Sequence, residues 1–271
     1  MARDPGPARG LLHVPVEGDA AHRHRRIAPP SWLAPWVQHF WSVTWDRRGL
    51  PPWRAASLPH PNVHLVVRAG ASAIHGVQCG RFEVVLEDRG RVFGIKFRPG
   101  GFQPFLGAPV SDLRDRSVGI ETVFGARGAA FEMAVLATAD DEECIALAAD
   151  LLGAHLPATQ DPDVELAGRI VDAIADDREL VSVATVLQRL FQRHVGATPK
   201  WVINRYRLHE AVEQLRAGRH VAWAALAAQL GYYDQAHFNR DFRRLVGRTP
   251  AQFERDLAIA VLLRQAHQLY E

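Results

Sequence analysis

The chain has 271 residues, 48% hydrophobic and 23% charged, enough for two domains of ordinary size, each with its own core. No stretch approaches the roughly 20 apolar residues of a membrane span, and no apolar run follows the basic N-terminal residues, so a cytoplasmic protein without a secretory signal is expected. Cys79 and Cys144 lack the spacing of a disulfide framework or a zinc site and read as free thiols. Lys96 and Lys200 are the only lysines, which with the abundant alanine points to a GC-rich bacterial genome.

The net charge of +2 conceals a division. Residues 130–180 hold 13 acidic and two basic side chains, whereas residues 189–255 hold five acidic and 12 basic. A basic excess that local raises the expectation of a polyanionic partner.

In chain order, residues 1–30 are rich in Pro, Gly and Arg with little apolar periodicity and read as a flexible arm. Residues 31–127 hold short runs rich in Val, Phe and Trp, namely "VQHFWSVTW", "NVHLVVR", "RFEVVLE" and "RVFGIKFRP", which predict a small antiparallel β-domain. Helical spacing in "AAFEMAVLATADDEECIALAADLLGAHL" makes 128–160 a connector, stopped by Pro157. Residues 161–258 read as a helical module and 259–271 as a C-terminal helix, giving an α+β chain. Within the module, Pro162 opens one helix and Thr198-Pro199 another, and Gly231 lies in the turn between "VAWAALAAQLG" and "DQAHFNRDFRRLVG". Two short helices joined by a glycine-containing turn are the helix-turn-helix unit.

On the second of those helices, Phe242 and Leu245 fall within about 40° of Phe238 at 3.6 residues per turn, which fixes the buried face. Ala236, His237, Arg240, Arg243 and Arg244 then point away, and Asp234 is the expected N-cap. An arginine forks onto guanine in the major groove, so Arg240 is expected to read a base; Arg243 and Arg244, a turn later, suit phosphates.

The stretch "GYYDQAHFNRDFRRLVGRTPAQF" closely resembles the signature of the AraC/XylS family of bacterial transcription regulators, whose C-terminal module joins two helix-turn-helix units by a long helix. "LQRLFQRHVGATPKWVINRYRLHEAVEQL" resembles the first reading helix and that linker. The resemblance implies base contacts from Gln235, Ala236, His237 and Arg240, and from Thr185, Gln188 and Arg189 in the first unit. Arg243, Arg244, Arg248 and Lys200 would meet phosphates. "FGIKFRPGGFQPFLGAPVSDL" looks like the cupin-like domain found in a subset of the family. The partners so implied are double-stranded DNA, a small-molecule effector in the β-domain, a second copy of the chain, and RNA polymerase; no cofactor is implied.

Nine residues separate Asp177 from Leu187, fewer than a positioning helix of about eight plus a turn of three or four requires. The first unit therefore reads as shortened, with "VSVATVLQRLFQRHV" as one helix whose Val186, Leu190 and Phe191 face the core. Two other classes compete. One is a degenerate relative acting through protein contacts. The other is a metal-dependent cupin-type enzyme with His60, His64 and His75 as ligands. On one extended strand His60 and His64 would stand about 13 Å apart, too far to share a metal bound at about 2 Å; a turn at Pro61-Asn62 would bring them together.

Overall fold

The computed structural model describes residues 12, 22–157, 159, 161–177, 185–217 and 222–268. Eight antiparallel strands form its N-terminal part: β1 His22–Ile27, β2 Val37–Asp46, β3 Trp53–Ser57, β4 His64–Val67, β5 Ala73–His75, β6 Phe82–Leu86, β7 Arg89–Phe97 and β8 Ser117–Val118. Six of them build one sheet in the order β1-β2-β7-β4-β5-β8, and β3 pairs with β6.

Alternation along the strands divides the large sheet into two faces. Phe40, Leu65, Ile74, Phe93, Ile95 and Phe97 are buried on one of them. They pack against Phe102 and Phe105 of α1 and its start (Gln103–Leu106), Phe124, Phe131 and Val135 of α2 (Ile120–Ala137), and Ile145, Ala148 and Leu152 of α3 (Asp141–Gly153). The other face carries His39, Trp41, Val43 and Trp45 from β2. A Cβ at Gly94 or Gly90 would lie 2.2 or 2.1 Å from the Trp41 or Trp45 ring, so only glycine lets the indoles lie across β7. Asp141 locks α3 to the sheet, accepting hydrogen bonds from Arg25, from Ser42 at 3.0 Å and from Arg91 at 2.9 Å.

Two expectations are corrected. The arm ends sooner than residue 30, because His22–Ile27 is a strand paired in register with β2; residues 1–11 and 13–21 lie outside the described residues. The helical region starts at Ile120 and is two helices, the second capped by Asp140, whose carboxylate accepts from the Glu142 and Glu143 amides. Strands β3, β5 and β8 carry little β-pattern of their own and are set by their partners.

The C-terminal part is helical: α4 Pro162–Asp177, α5 Thr185–Leu190 continuing into a π turn at Phe191–Val195, α6 Pro199–Arg216, α7 Trp223–Gln229, α8 Gln235–Val246 and α9 Pro250–Gln268. Thr198 caps α6, its hydroxyl accepting from the Trp201 amide at 3.2 Å. Val164, Ala167, Val171 and Ile174, at helical spacing on α4, join Phe191, Val195, Val202 and Ile203 in buried positions. The expected C-terminal helix is the continuation of α9, unbroken from Pro250. Among the described residues no helix is long and apolar enough to cross a membrane.

The two parts share their cores. Val77 is buried with the α4 and α6 residues, and Ala56 and Leu58 with α6, α7 and α8. Arg205, 1% exposed, donates to the Cys79 carbonyl and stacks 4.6 Å above the Trp201 ring. Arg81 donates to the Val246 carbonyl at 2.9 Å, at the C-terminal end of α8.

Candidate nucleic-acid interface

The α7–α8 pair is built from local signals. Leu226 and Ala227 bury one side of α7. The chain then reverses at Gly231, whose φ of +69° favours glycine. Its carbonyl accepts from Arg207 at 3.2 Å, and the same guanidinium lies 5.9 Å over the Tyr232 ring, which ties the turn to α6. Asp234 caps α8, Oδ1 accepting from the His237 amide at 2.6 Å, and Gly247 ends it in the left-handed conformation. A capped start worth about 1 kcal/mol fixes the register of the first turn.

Phe238, Phe242, Leu245 and Val246 are buried, and the rings of Phe238, Phe242 and Phe253 form an edge-to-face chain with centroids 5.6 and 5.8 Å apart. Removing one such ring costs about 3–5 kcal/mol. The opposite side is solvent-facing: Gln235, Ala236, His237, Arg240, Arg243 and Arg244 are all exposed, and Arg248 is half-buried. The expected apolar spine and the five residues expected to point away from it are where the helical spacing put them, and Gln235 is exposed beside them.

Sequence reasoning missed two residues. Asp241 lies among the basic side chains, with Oδ1 3.2 Å from Arg244 Nη2 and Oδ2 3.9 Å from His237 Nε2; these are i,i+3 and i,i+4 spacings visible in the sequence. It holds Arg244 along the helix, whereas Arg240 and Arg243 have no ion-pair partner among the described residues. Arg248 pairs with Asp256. Tyr233, 95% exposed immediately before the cap, carries a phenol beside the same face.

The first unit is different. Gln188 and Arg189 are exposed on α5, and Lys200 is exposed at the start of α6. Phe191 is buried and Leu190 half-buried, as expected, while the side chains of Thr185 and Val186 and the whole of 178–184 lie outside the described residues. The continuous helix expected over 181–195 becomes a π turn after Leu190, closed by the Gly196 amide donating to the Phe191 carbonyl at 2.8 Å. Gly196, at φ +83°, sits against Val110 of the β-domain, 2.9 Å from where a Cβ would be.

The histidine trio does not converge. His64 and His75 oppose each other across β4 and β5, but His60 stacks on His209 of α6 with centroids 4.1 Å apart. Among the described residues no group of three or more His, Cys, Asp or Glu is arranged to hold a metal.

Residues 181–256 match the family described as a helix-turn-helix domain, and residues 25–119 match one described as a domain of unknown function (DUF6597). An uncharacterized HTH-type transcriptional regulator of Haemophilus influenzae is 27% identical over 85 residues, 30% of this chain and 28% of that protein, so less than a third of the relative's length is matched. Structures of ToxT from Vibrio cholerae align over 87% of this chain and 97% of theirs at 11% identity with a TM-score of 0.34, or, in the form bound to unsaturated fatty acid, over 87% and 95% at 10% with 0.33. A likeness that loose transfers no site.

Proposed function

We propose that the chain is a sequence-specific DNA-binding transcription regulator of the AraC type that reads the major groove chiefly with α8, within the region that matches a helix-turn-helix domain, residues 181–256. The observation that carries this reading is the division of α8 into a buried aromatic spine and an exposed face bearing Gln235, Ala236, His237, Arg240 and Arg243. Arg240, without an ion-pair partner among the described residues and projecting from the middle of the helix, forks onto a base, guanine by preference; Ala236 permits close approach or meets a thymine methyl, and Gln235 reads an adenine edge. His237, beside the cap, completes the base-facing set.

Arg243, Arg244, Arg248 and Lys200 position the protein through phosphates, with the Tyr233 hydroxyl as a further donor at the turn. Gln188 and Arg189 contribute less, because α5 passes into the π turn within one helical turn of Arg189. The β-domain takes the sensing and dimerisation roles, and the protein works in the cytoplasm as a homodimer that meets RNA polymerase on DNA without itself being an enzyme. Selection of binding sites from random duplexes tests this reading. A defined consensus whose affinity falls with salt is expected, with a log-log slope of about −0.9 per phosphate neutralised; recovery of random sequence would refute it.

A further inference from the structure

The sheet face turned away from α1, α2 and α3 carries a polar row that DNA reading leaves unused. Register sets His39 opposite Lys96, Lys96 opposite His64, His64 opposite His75 and His75 opposite Ser117. Directly opposed residues of antiparallel strands share a face, so β2, β7, β4, β5 and β8 each place one side chain in a single line. β1 adds Arg26, whose Nε donates to His39 Nε2 at 3.2 Å, and His75 Nδ1 lies 2.7 Å from Ser117 Oγ at the far end. Beside the row lies Trp41, its ring 6.3 Å from the His64 ring and its Nε1 buried without a hydrogen-bond partner among the described residues.

No acid belongs to this line. Lys96 is 7% exposed, between Ile95 and Phe97 on the strand, and has neither a hydrogen bond nor an ion pair among the described residues. The charged groups that bear on Lys96, His39 and His64 are all basic. Burial, then Arg26, lowers the Lys96 ammonium to about 7. Burial, with Lys96 next in weight, lowers His39 to about 2 and His64 to about 3, so both imidazoles are neutral at pH 7. An unpaired ammonium in such a place costs stability, and the chain has only one other lysine on which to draw. Packing alone would be served better by an apolar side chain.

We propose that this row is a binding site for the carboxylate of a small organic acid, with the Lys96 ammonium as counter-ion and Trp41 Nε1 and a His64 ring N–H as donors. A carboxylate suits the row better than a phosphate: Lys96 supplies its one ammonium, the Arg26 guanidinium is engaged with His39 at the end of the row, and the neutral imidazoles add no charge, so a dianion would meet a single direct counter-ion. The Trp41 ring flanks the acid's apolar body. That such an acid is the effector rests on the regulator reading above; that the site binds it does not.

The test uses the full chain labelled with 13C at lysine Cε, whose two lysine signals are assigned by Lys200→Arg. Acetate, benzoate and octanoate are titrated in turn against their uncharged amides and against inorganic phosphate. At least one carboxylate is expected to move the Lys96 signal, raise its titration midpoint and raise the melting temperature, while the amides and phosphate do none of these. Lys96→Met is expected to melt higher than wild type without carboxylate and to bind it about tenfold to a hundredfold more weakly. Trp41→Phe, which removes only the indole donor, gives a smaller loss and serves if Lys96→Met fails to fold. A Lys96 signal titrating near the free-lysine value of about 10.4, no response to any of the three acids, an equal response to amide or phosphate, or a full response in the Lys96 and Trp41 variants would each overturn the site. DNA affinity measured on the same samples separates the two readings: a carboxylate response in a protein that does not bind DNA tells against the regulator and not against the site.

Discussion

The helical module holds two segments with arginines on their outer faces, α8 and α5 with its π turn, and they are framed differently. α8 is closed by Asp234 at one end and Gly247 at the other, and between them three apolar residues at helical spacing hold it to its neighbours. α5 has six residues before the backbone widens, and its buried side includes His194, 1% exposed, with both ring nitrogens lacking a hydrogen bond and with burial lowering its pKa. An arginine reads a base only when the helix beneath it fixes its position to within a fraction of an ångström. That frame exists under Arg240 and stops just past Arg189. The contrast teaches that the framing of a helix, more than its surface charge, decides which of two basic segments is suited to reading.

Phe242→Ala should lower the stability of the module by about 3–5 kcal/mol, seen by calorimetry as an early transition, with the sheet-and-helix core around Phe40 and Phe93 melting later; a single unchanged transition would show that the spine does not hold α8. Next in size, Arg240→Ala should weaken binding to the selected site by about 1–3 kcal/mol and relax its sequence at one or two positions. Arg243→Ala should instead weaken selected and random duplexes alike and reduce the magnitude of the salt slope by about one phosphate. Asp234→Ala should cost about 0.5–2 kcal/mol of stability and loosen specificity through the helix start, read by thermal melts alongside affinity. The smallest effect belongs to Arg189→Ala, expected below about 0.5 kcal/mol on the selected site, as for a surface substitution away from any structural feature. A loss equal to that of Arg240→Ala would erase the distinction between the two segments.

What could be read from the sequence followed where local rules were in charge. β2, β4, β6 and β7 lie in short runs rich in Val, Phe and Trp, and α8 shows its cap, its spine and its terminal glycine in plain order. β1 could not be read, since "HRHRRI" has no apolar alternation; it is a strand because its backbone pairs with β2 and because Arg25 and Arg26 find Asp141 and His39 across the sheet. Here tertiary pairing overrode composition. The displacement of His60 onto His209 likewise depends on how the two parts meet. The row from His39 to Ser117 is scattered over 79 positions of sequence (39 to 117, inclusive) and becomes a line only through strand register. Asp241 and Tyr233 are legible in the sequence, the first as i,i+3 and i,i+4 spacing to Arg244 and His237 and the second as an aromatic before a cap.

The central claim, that α8 reads sequence through Arg240, is tested most directly by measuring the affinity of wild type and Arg240→Ala for the selected duplex and for a random duplex at one fixed salt concentration. A loss of about 1–3 kcal/mol is expected on the selected duplex and little on the random one. Equal losses on both, or none on either, would contradict it.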